Sequence, residues 1–218
     1  SLEDKNADYF CKNAVFSKIL GDGNNISATF KTESGEFPVS LSVVGKHNLS
    51  DALAAFAASD ILGLSLEKTL SALSAFKGAE GRCEPVKNDL GINILIDYAH
   101  TPDAVLNIIK TARSFTSGNI IFVFGCGGNR DSEKRPEMGK IASENADFVI
   151  VTSDNPRNED PENIIKDILA GVNSENYEVE INRYLAIRKA VLLAKKGDTV
   201  LISGKGHEKK QIVSNRIV

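Results

Sequence analysis

The sequence contains no tryptophan, and aromatic residues make up only 6% of its 218 residues. It also lacks an excess of positive charge, since 26 basic and 29 acidic residues leave a formal net charge of −3. Nucleic acids and anionic membranes attract basic proteins, and single strands bind by stacking on aromatic rings. No apolar stretch approaches the roughly 18 residues of a membrane span, and residues 1–13 show no signal peptide. We therefore predict no nucleic-acid partner and no membrane association.

Cysteine and histidine are scarce, with three residues of each. Cys11, Cys83 and Cys126 are odd in number and widely spaced, so they form neither a disulfide framework nor a Cys-x-x-Cys metal site. This pattern is typical of a reducing compartment, and we expect a cytoplasmic location. The histidines are far apart in the sequence, and no serine or cysteine stands in a sharp elbow, so no nucleophile–base pair is visible. The sequence favours substrate binding over covalent catalysis.

The composition is otherwise that of a globular protein, with 42% hydrophobic and 25% charged residues. Short β-like runs separated by glycine, asparagine and serine predict a small antiparallel meander near the beginning. These runs are AVFSKIL, NISATFKT and EFPVSLSVV, at residues 14–20, 25–32 and 36–44.

Two helices are predicted next. Residues 48–63 have helical spacing, which places Leu49, Leu53, Phe56 and Ala57 on one face. Residues 65–76 form the second helix, with Ser65 as its N-cap. Three small strands and two helices are a thin core for about 80 residues. We therefore expect residues 1–81 to be the end of a larger domain, and we expect the final QIVSNRIV to lack a closing element.

Residues 82–218 follow a different pattern, in which Val-, Ile- and Phe-rich strands alternate with helices. This pattern predicts an α/β fold with a mostly parallel sheet and helices on both faces. The predicted strands are residues 92–99, 119–125, 147–153, 177–181 and 198–204, and the predicted helices are residues 103–115, 133–146, 161–172 and 183–196. In such sheets, ligands bind at the carboxyl ends of the strands.

The strand ends carry the unusual chemistry. DYAHTPDAV places Asp97 and His100 before a helix, although a capped helix beside a surface histidine explains this stretch equally well. FGCGGNRD offers glycines 125, 127 and 128 for close approach to a ligand. The third glycine of a dinucleotide-binding G-x-G-x-x-G is Arg130 here, which argues against a nicotinamide enzyme. Backbone amides beside a guanidinium suit a carboxylate or a phosphate instead.

Two further strand ends are SDNPRN, which contains Arg157, and SGKGHEKKQ, which contains Glu208. Taken alone, Arg157 is better explained as a solvated loop residue than as a binding residue. Because Arg130, Arg157 and Glu208 all follow carboxyl ends of strands, one crevice can hold all three. Two guanidiniums and a carboxylate match a ligand with carboxylates and an ammonium, which is an amino acid.

Six stretches in this order and spacing resemble the Mur ligase family over essentially the whole chain. They are GKHNLSDALAA, GRCEPV, DYAHTPDAV, VFGCGGNRDSEKRPEMG, TSDNPRNEDP and GKGHEKKQ. Mur ligases have three domains. The resemblance implies that residues 1–81 are the C-terminal part of the central ATP-binding domain, and that residues 82–218 are most of the C-terminal, Rossmann-like, amino-acid-binding domain.

The resemblance also implies an activity. The D-N-P-R stretch is similar to that of the members that add meso-diaminopimelate to UDP-MurNAc-L-Ala-D-Glu in peptidoglycan synthesis, through an acyl phosphate formed with ATP. Relatives that add L-lysine lack the arginine, so Arg157 is expected to bind the carboxylate that lysine does not have. The residues assigned to this pocket are Arg130, Asp154, Asn155, Pro156, Arg157, Gly204 and Glu208.

By the same resemblance, Asn48, Arg82, Asp97 and His100 are expected to contact the nucleotide. Asp51 stands where the family has an asparagine. The motif G-x-x-x-x-G-K-[ST] is absent from this sequence, and the resemblance implies that the metal ligands of the family would precede it. ATP and Mg²⁺ are thus expected only for a full-length enzyme, and the isolated chain is expected to be inactive, which an ATPase assay on pure material checks.

Two alternatives stay open on the sequence. One is a ligase of the same family that adds L-lysine or another amino acid. Only Arg157 and its neighbours argue against this alternative. The other is a stand-alone amino-acid-binding module, against which the thin first half speaks.

Overall fold

The computed structural model describes residues 1–17, 25–214 and 216–217. The chain divides into two compact units, Ser1–Ala79 and Glu80–Val218. The division lies two residues before the boundary predicted at residue 81, and the assignment of the first unit to an ATP-binding domain remains a prediction.

The first unit is a three-stranded antiparallel sheet covered by helices. Its elements are β1 (Phe10–Phe16), β2 (Ile26–Thr32), β3 (Gly35–Leu41), α1 (Lys46–Ile61) and α2 (Leu66–Ala75). The sheet order is β1-β2-β3. Alternate residues of β2, including Phe30, pack against Leu53 and Phe56 of α1. Ser65 caps α2 as predicted, because its side chain accepts a hydrogen bond from the Lys68 amide.

Two details of this unit differ from the prediction. The first strand begins at Phe10 rather than at residue 14. Its pairing with β2 is irregular between Lys12 and Val15, so its residues lack the regular alternation from which a strand is predicted. Residues 18–20 of the predicted run lie outside the described residues. In α1, Ala52 is buried, whereas Ala57, which was predicted on the apolar face, is only half-buried.

The second unit is built on a six-stranded sheet in the order β4-β5-β9-β6-β7-β8. Its strands are β4 (Glu84–Pro85), β5 (Asn93–Ile96), β6 (Ile120–Phe124), β7 (Phe148–Val151), β8 (Tyr177–Val179) and β9 (Thr199–Ile202). All neighbouring strands are parallel except β4 and β5. The strand β4 was missed because its two residues carry no pattern. The predicted fold class is confirmed.

Helices cover both faces of this sheet. They are α3 (Pro102–Phe115), α4 (Lys134–Asn145), α5 (Pro161–Leu169) and α6 (Arg183–Leu193). Ile121 and Val123 of β6 pack on the face that α6 covers. The alternating residues Phe122 and Phe124 therefore lie on the opposite face, where α3 contacts β6 and α4 contacts β7. Both faces of the central strands are buried, which explains their continuous apolar runs.

The prediction that QIVSNRIV lacks a closing element was wrong. Ile212–Val213 (β10) and Arg216–Ile217 (β11) pair as a short antiparallel hairpin. Val213 also forms a parallel bridge with Arg157. Because that pairing joins residues more than 50 positions apart, the local sequence does not predict it. None of the helices in the described part of the chain is both long and apolar enough to cross a membrane.

Candidate functional site

A pocket of about 240 Å³ lies in the second unit, at the carboxyl ends of β5, β6, β7 and β9. It brings together six of the seven residues predicted to bind the amino acid: Arg130, Asp154, Asn155, Arg157, Gly204 and Glu208. Pro156 is buried and does not line the pocket. His100 lines the same pocket, although the sequence assigned it to the nucleotide. The expected crevice with two guanidiniums and a carboxylate is therefore present in the structure.

The floor of the pocket is a network around Asn155, which is 5% exposed. Its Nδ2 donates to Glu208 Oε2 over 2.7 Å, and its Oδ1 accepts from Lys205 Nζ over 2.9 Å. Lys205 is also buried, and its Nζ lies 3.0 Å from Glu208 Oε2. Because Asn155 and Lys205 both bond to Oε2 of Glu208, they hold this carboxylate at the pocket wall and leave Oε1 for a ligand.

The network also controls the charge of Glu208. Burial alone would raise the pKa of its carboxyl group. Hydrogen bonds from Asn155 and Lys205, together with the positive charge on Lys205, outweigh burial and hold the pKa below its usual value. Glu208 is therefore ionised at neutral pH and can accept a hydrogen bond from an ammonium group.

The two arginines stand on neighbouring loops that are joined to each other. Arg157 Nη1 donates to the Gly128 carbonyl over 2.7 Å, and the Gly128 amide donates to the Asn155 carbonyl over 2.9 Å. A Cβ on Gly128 would lie 1.9 Å from the Pro156 carbonyl oxygen. Gly128 is therefore needed for close approach of the two loops, whereas the sequence suggested approach to a ligand. Gly125 and Gly127 do line the pocket.

Among the residues that the structure describes, no carboxylate forms an ion pair with Arg130 or Arg157. Arg130 is exposed and Arg157 is half-buried. Two unpaired guanidiniums at one pocket attract a carboxylated ligand and can bind each carboxylate through two parallel hydrogen bonds.

A third arginine, Arg135, links the same loops from beneath. Its side chain is 3% exposed, and Nη1 donates to Glu159 and to Asp167 over 2.9 and 2.8 Å. Its Nη2 donates to the other oxygen of Glu159 and, over 3.3 Å, to the Gly127 carbonyl. Glu159 in turn accepts a hydrogen bond from the Asn129 amide. The loops that carry Arg130 and Arg157 are thus held by one buried guanidinium.

Three of the four residues predicted to bind the nucleotide, Arg82, Asp97 and His100, belong to the second unit. Arg82 lies with its guanidinium 4.9 Å from the centre of the Tyr98 ring, and Tyr98 also contacts His100. The Asp97 carboxylate accepts hydrogen bonds from the Cys83 and Ala99 amides. Asp97 therefore holds the chain locally, and its nucleotide contact remains a prediction.

Asn48 belongs to the first unit, where its side-chain amide donates to the Val44 carbonyl over 2.7 Å. Asp51, which stands at the asparagine position of the family, is exposed on the same helix. The role of Asn48 at a nucleotide remains a prediction. In the described part of the chain, no three His, Cys, Asp or Glu side chains are grouped so that they could hold a metal ion.

Sequence reasoning missed several residues that shape the pocket. Lys205, Arg135 and Gln211 all bond to the loops that carry the predicted ligands. Each lies in a polar stretch of sequence, which predicts exposure to solvent. Their position next to glycine-rich strand ends, where loops converge, was the one feature that could have indicated a role at the pocket.

Cys126 also lines the pocket, but burial raises the pKa of its thiol to about 12. Burial raises the pKa of Cys83 to about 12 as well. At pH 8 the thiolate fraction of such a group is roughly a thousandth of that of a free cysteine. We expect Cys83 and Cys126 to be alkylated roughly 1000-fold more slowly than a free thiol, and the half-buried Cys11 to react first. Mass spectrometry after timed iodoacetamide treatment checks this.

Denaturation in guanidinium chloride provides the control, since all three thiols should then react at similar rates. Fast modification of Cys126 in the folded chain would contradict the prediction and would make a thiol nucleophile at the pocket possible.

Comparisons with known proteins show which family this chain resembles. A family model described as "Mur ligase, glutamate ligase domain" matches residues 81–206. The UDP-N-acetylmuramoyl-L-alanyl-D-glutamate--2,6-diaminopimelate ligase of Clostridioides difficile (strain 630) is 45% identical over 212 residues, which cover 96% of this chain and 43% of that protein. The ligase of the same name from Trichormus variabilis is 45% identical over 216 residues, which cover 98% of this chain and 42% of that protein.

Solved structures show the same relationship. A structure of a ligase with that name has 34% sequence identity and a TM-score of 0.74, and the match covers 100% of this chain and 44% of that one. The MurF ligase of Thermotoga maritima in complex with ADP shares the fold, with 19% identity, a TM-score of 0.65 and coverage of 93% of this chain and 44% of that one. The chain thus spans less than half the length of the relatives that it matches. Since the family model matches more than half of its residues, the chain belongs to the Mur ligase family.

Proposed function

We propose that this chain supplies the amino-acid pocket of an ATP-dependent ligase that adds meso-diaminopimelate to UDP-N-acetylmuramoyl-L-alanyl-D-glutamate, the MurE step of peptidoglycan precursor synthesis. The observation that carries the proposal is the pocket in which the unpaired Arg130 and Arg157 face the acidic residues Asp154 and Glu208. The names of the relatives at 45% identity support the same reaction.

The charges of the pocket match those of the proposed substrate. Diaminopimelate carries a carboxylate and an ammonium at each end, so it needs cationic and anionic partners at two places. Arg157 would bind the carboxylate at the far end, and Arg130 would bind a second carboxylate. The ionised Glu208 would accept a hydrogen bond from an ammonium, and Asp154 lies against Gly204 at the same wall.

The proposed selectivity against L-lysine follows from Arg157. Lysine has no carboxylate at its far end, so the half-buried guanidinium would lose water without gaining an ionic partner. A site that binds a polar group of its ligand strongly rejects an analogue without that group, because the polar groups of the site are then left unpaired. An apolar pocket discriminates much more weakly against an analogue that lacks one methylene group. The distal carboxylate is therefore proposed as the feature that this pocket recognises.

The nucleotide and metal belong to the same proposal. ATP, with Mg²⁺, would activate the D-glutamate carboxylate in a full-length ligase. The exposed Arg82 and His100, which both contact the Tyr98 ring, would offer a cation and an imidazole to an anionic or aromatic part of the nucleotide. The Asp97 carboxylate keeps remaining lone pairs for a hydroxyl donor after its two amide contacts.

Calorimetric titration of this chain with meso-diaminopimelate and with L-lysine tests the proposal. We expect saturable binding of diaminopimelate and at least roughly 30-fold weaker binding of lysine, in line with a missing charged contact. Equal affinities would favour the ligase of broader amino-acid specificity. Absence of diaminopimelate binding by a chain whose thermal unfolding is cooperative would contradict the proposal for this chain.

A further inference from the structure

The segment Gln211–Ser214 runs beside the loop that carries Arg157, and it contributes little to the core. Ile212 and Val213 are 38% and 40% exposed. Its contacts are mainly hydrogen bonds to one target, the loop of residues 153–157. Gln211 Nε2 donates to the Asp154 carbonyl over 2.5 Å and lies 3.4 Å from the Ser153 carbonyl.

The next residues of the segment continue along the same loop. The Ile212 amide donates to Asn155 Oδ1 over 2.9 Å, and the Ile212 carbonyl accepts from the Arg157 amide over 3.0 Å. The Ser214 amide donates to the Arg157 carbonyl over 2.5 Å. Both backbone polar groups of Arg157 are thus bonded to this segment.

This bonding matters because Arg157 has an unfavourable backbone conformation. Its φ angle is 54°, in the left-handed region that non-glycine residues adopt at a cost of roughly 1 kcal/mol. A residue keeps such a conformation only where its surroundings determine it. The bridge between Arg157 and Val213 provides that constraint from outside the loop.

We propose that the Gln211–Ser214 segment is a positioning element that holds Arg157 in the conformation from which its guanidinium lines the pocket, and that it thereby sets selectivity for a ligand with a distal carboxylate. Gln211 is the positioning residue whose side chain can be changed without touching the ligand site. The part of this inference that concerns selectivity rests on the proposed function, whereas the part that concerns Arg157 does not.

The variant Gln211→Met tests the inference, because methionine keeps the length of the side chain and removes its donor. Lys210→Met is the matched control, since it introduces the same side chain at the exposed neighbouring position. In Gln211→Met we expect hydrogen exchange of the Arg157 amide to be at least ten-fold faster, and diaminopimelate affinity to be about ten-fold weaker, with lysine affinity unchanged. Lys210→Met should leave all three quantities as they are.

A double-mutant cycle separates positioning from general loosening of the fold. If the segment acts through Arg157, Gln211→Met should cause no further loss of diaminopimelate affinity in an Arg157→Ala background. An equal loss in both backgrounds, or an equal loss for lysine, would overturn the inference. If the unmodified chain binds no diaminopimelate, the proposed function fails while hydrogen exchange still decides the positioning role: unchanged exchange of the Arg157 amide refutes it.

Discussion

Replacing Arg157 by alanine should weaken meso-diaminopimelate binding by roughly 30- to 1000-fold, equivalent to about 2–4 kcal/mol for removing one partner of a desolvated charge pair. The guanidinium is half-buried, donates to the Gly128 carbonyl and has no carboxylate partner among the described residues, so a ligand carboxylate would be its ionic partner. L-Lysine binding should change by less than about three-fold, because lysine offers this arginine nothing to bind. Calorimetry with both amino acids measures the two effects.

Two further variants sharpen this result. Arg188→Ala removes an exposed arginine on α6, outside the pocket, and should leave both affinities unchanged. Arg157→Lys keeps the charge but loses the planar fork, so we expect it to recover only part of the affinity. If Arg157→Ala weakens the binding of diaminopimelate and of lysine equally, the arginine does not recognise the distal carboxylate. A ligase of broader amino-acid specificity would then be the better explanation.

Replacing Arg135 by methionine should be the most destabilising of these changes. Methionine fills much of the same volume but leaves Glu159, Asp167 and the Gly127 carbonyl without their shared donor. Breaking a fully buried pair costs about 3–5 kcal/mol. Because the Glu159 and Asp167 side chains are 32% and 47% exposed, water recovers part of this, and we expect about 2–3 kcal/mol. Urea unfolding of the chain measures the loss.

A surface ion pair provides the comparison for Arg135. Arg113 on α3 lies 2.7 Å from Asp147, but both side chains are well exposed. Arg113→Met should therefore cost no more than about 1 kcal/mol. Equal destabilisation by the two variants would show that burial of Arg135 does not matter. We also expect Arg135→Met to weaken diaminopimelate binding at temperatures where it remains folded, since Arg135 joins the loops that carry Arg130 and Arg157.

Local features of the sequence were sufficient for most of the fold. The side chains of Ser65 and Thr101 cap their helices by accepting from amides three residues ahead, and Pro102 and Pro161 begin helices at their first turn. These interactions depend only on neighbouring residues, so the pattern reveals them. Predicted elements run on by up to three residues at their ends, as in α6, which was predicted to residue 196 and ends at Leu193. The helix ends where Ala194 takes an extended backbone conformation, with φ −66° and ψ 140°.

The candidate site was predictable only as a set of strand-end motifs. The rule that ligands bind at the carboxyl ends of parallel strands suggested that Arg130, Arg157 and Glu208 share a crevice. Their roles came from resemblance to a family, because the residue types alone fit many carboxylated ligands. Pro156 shows the limit of transferring a whole motif, since it is buried behind the residues that line the pocket.

The sequence by itself determined the α/β class, the order of the elements and the family. Only the tertiary structure decided that β9 lies between β5 and β6, that Lys205 bonds to Asn155, and that the segment after Lys210 bonds to Arg157. The reason is physical. Helix caps and hydrophobic periodicity act over a few residues, whereas these contacts join residues about 50 or more positions apart. Such partners meet only after the sheet has set the order of its strands and brought their loops to one edge.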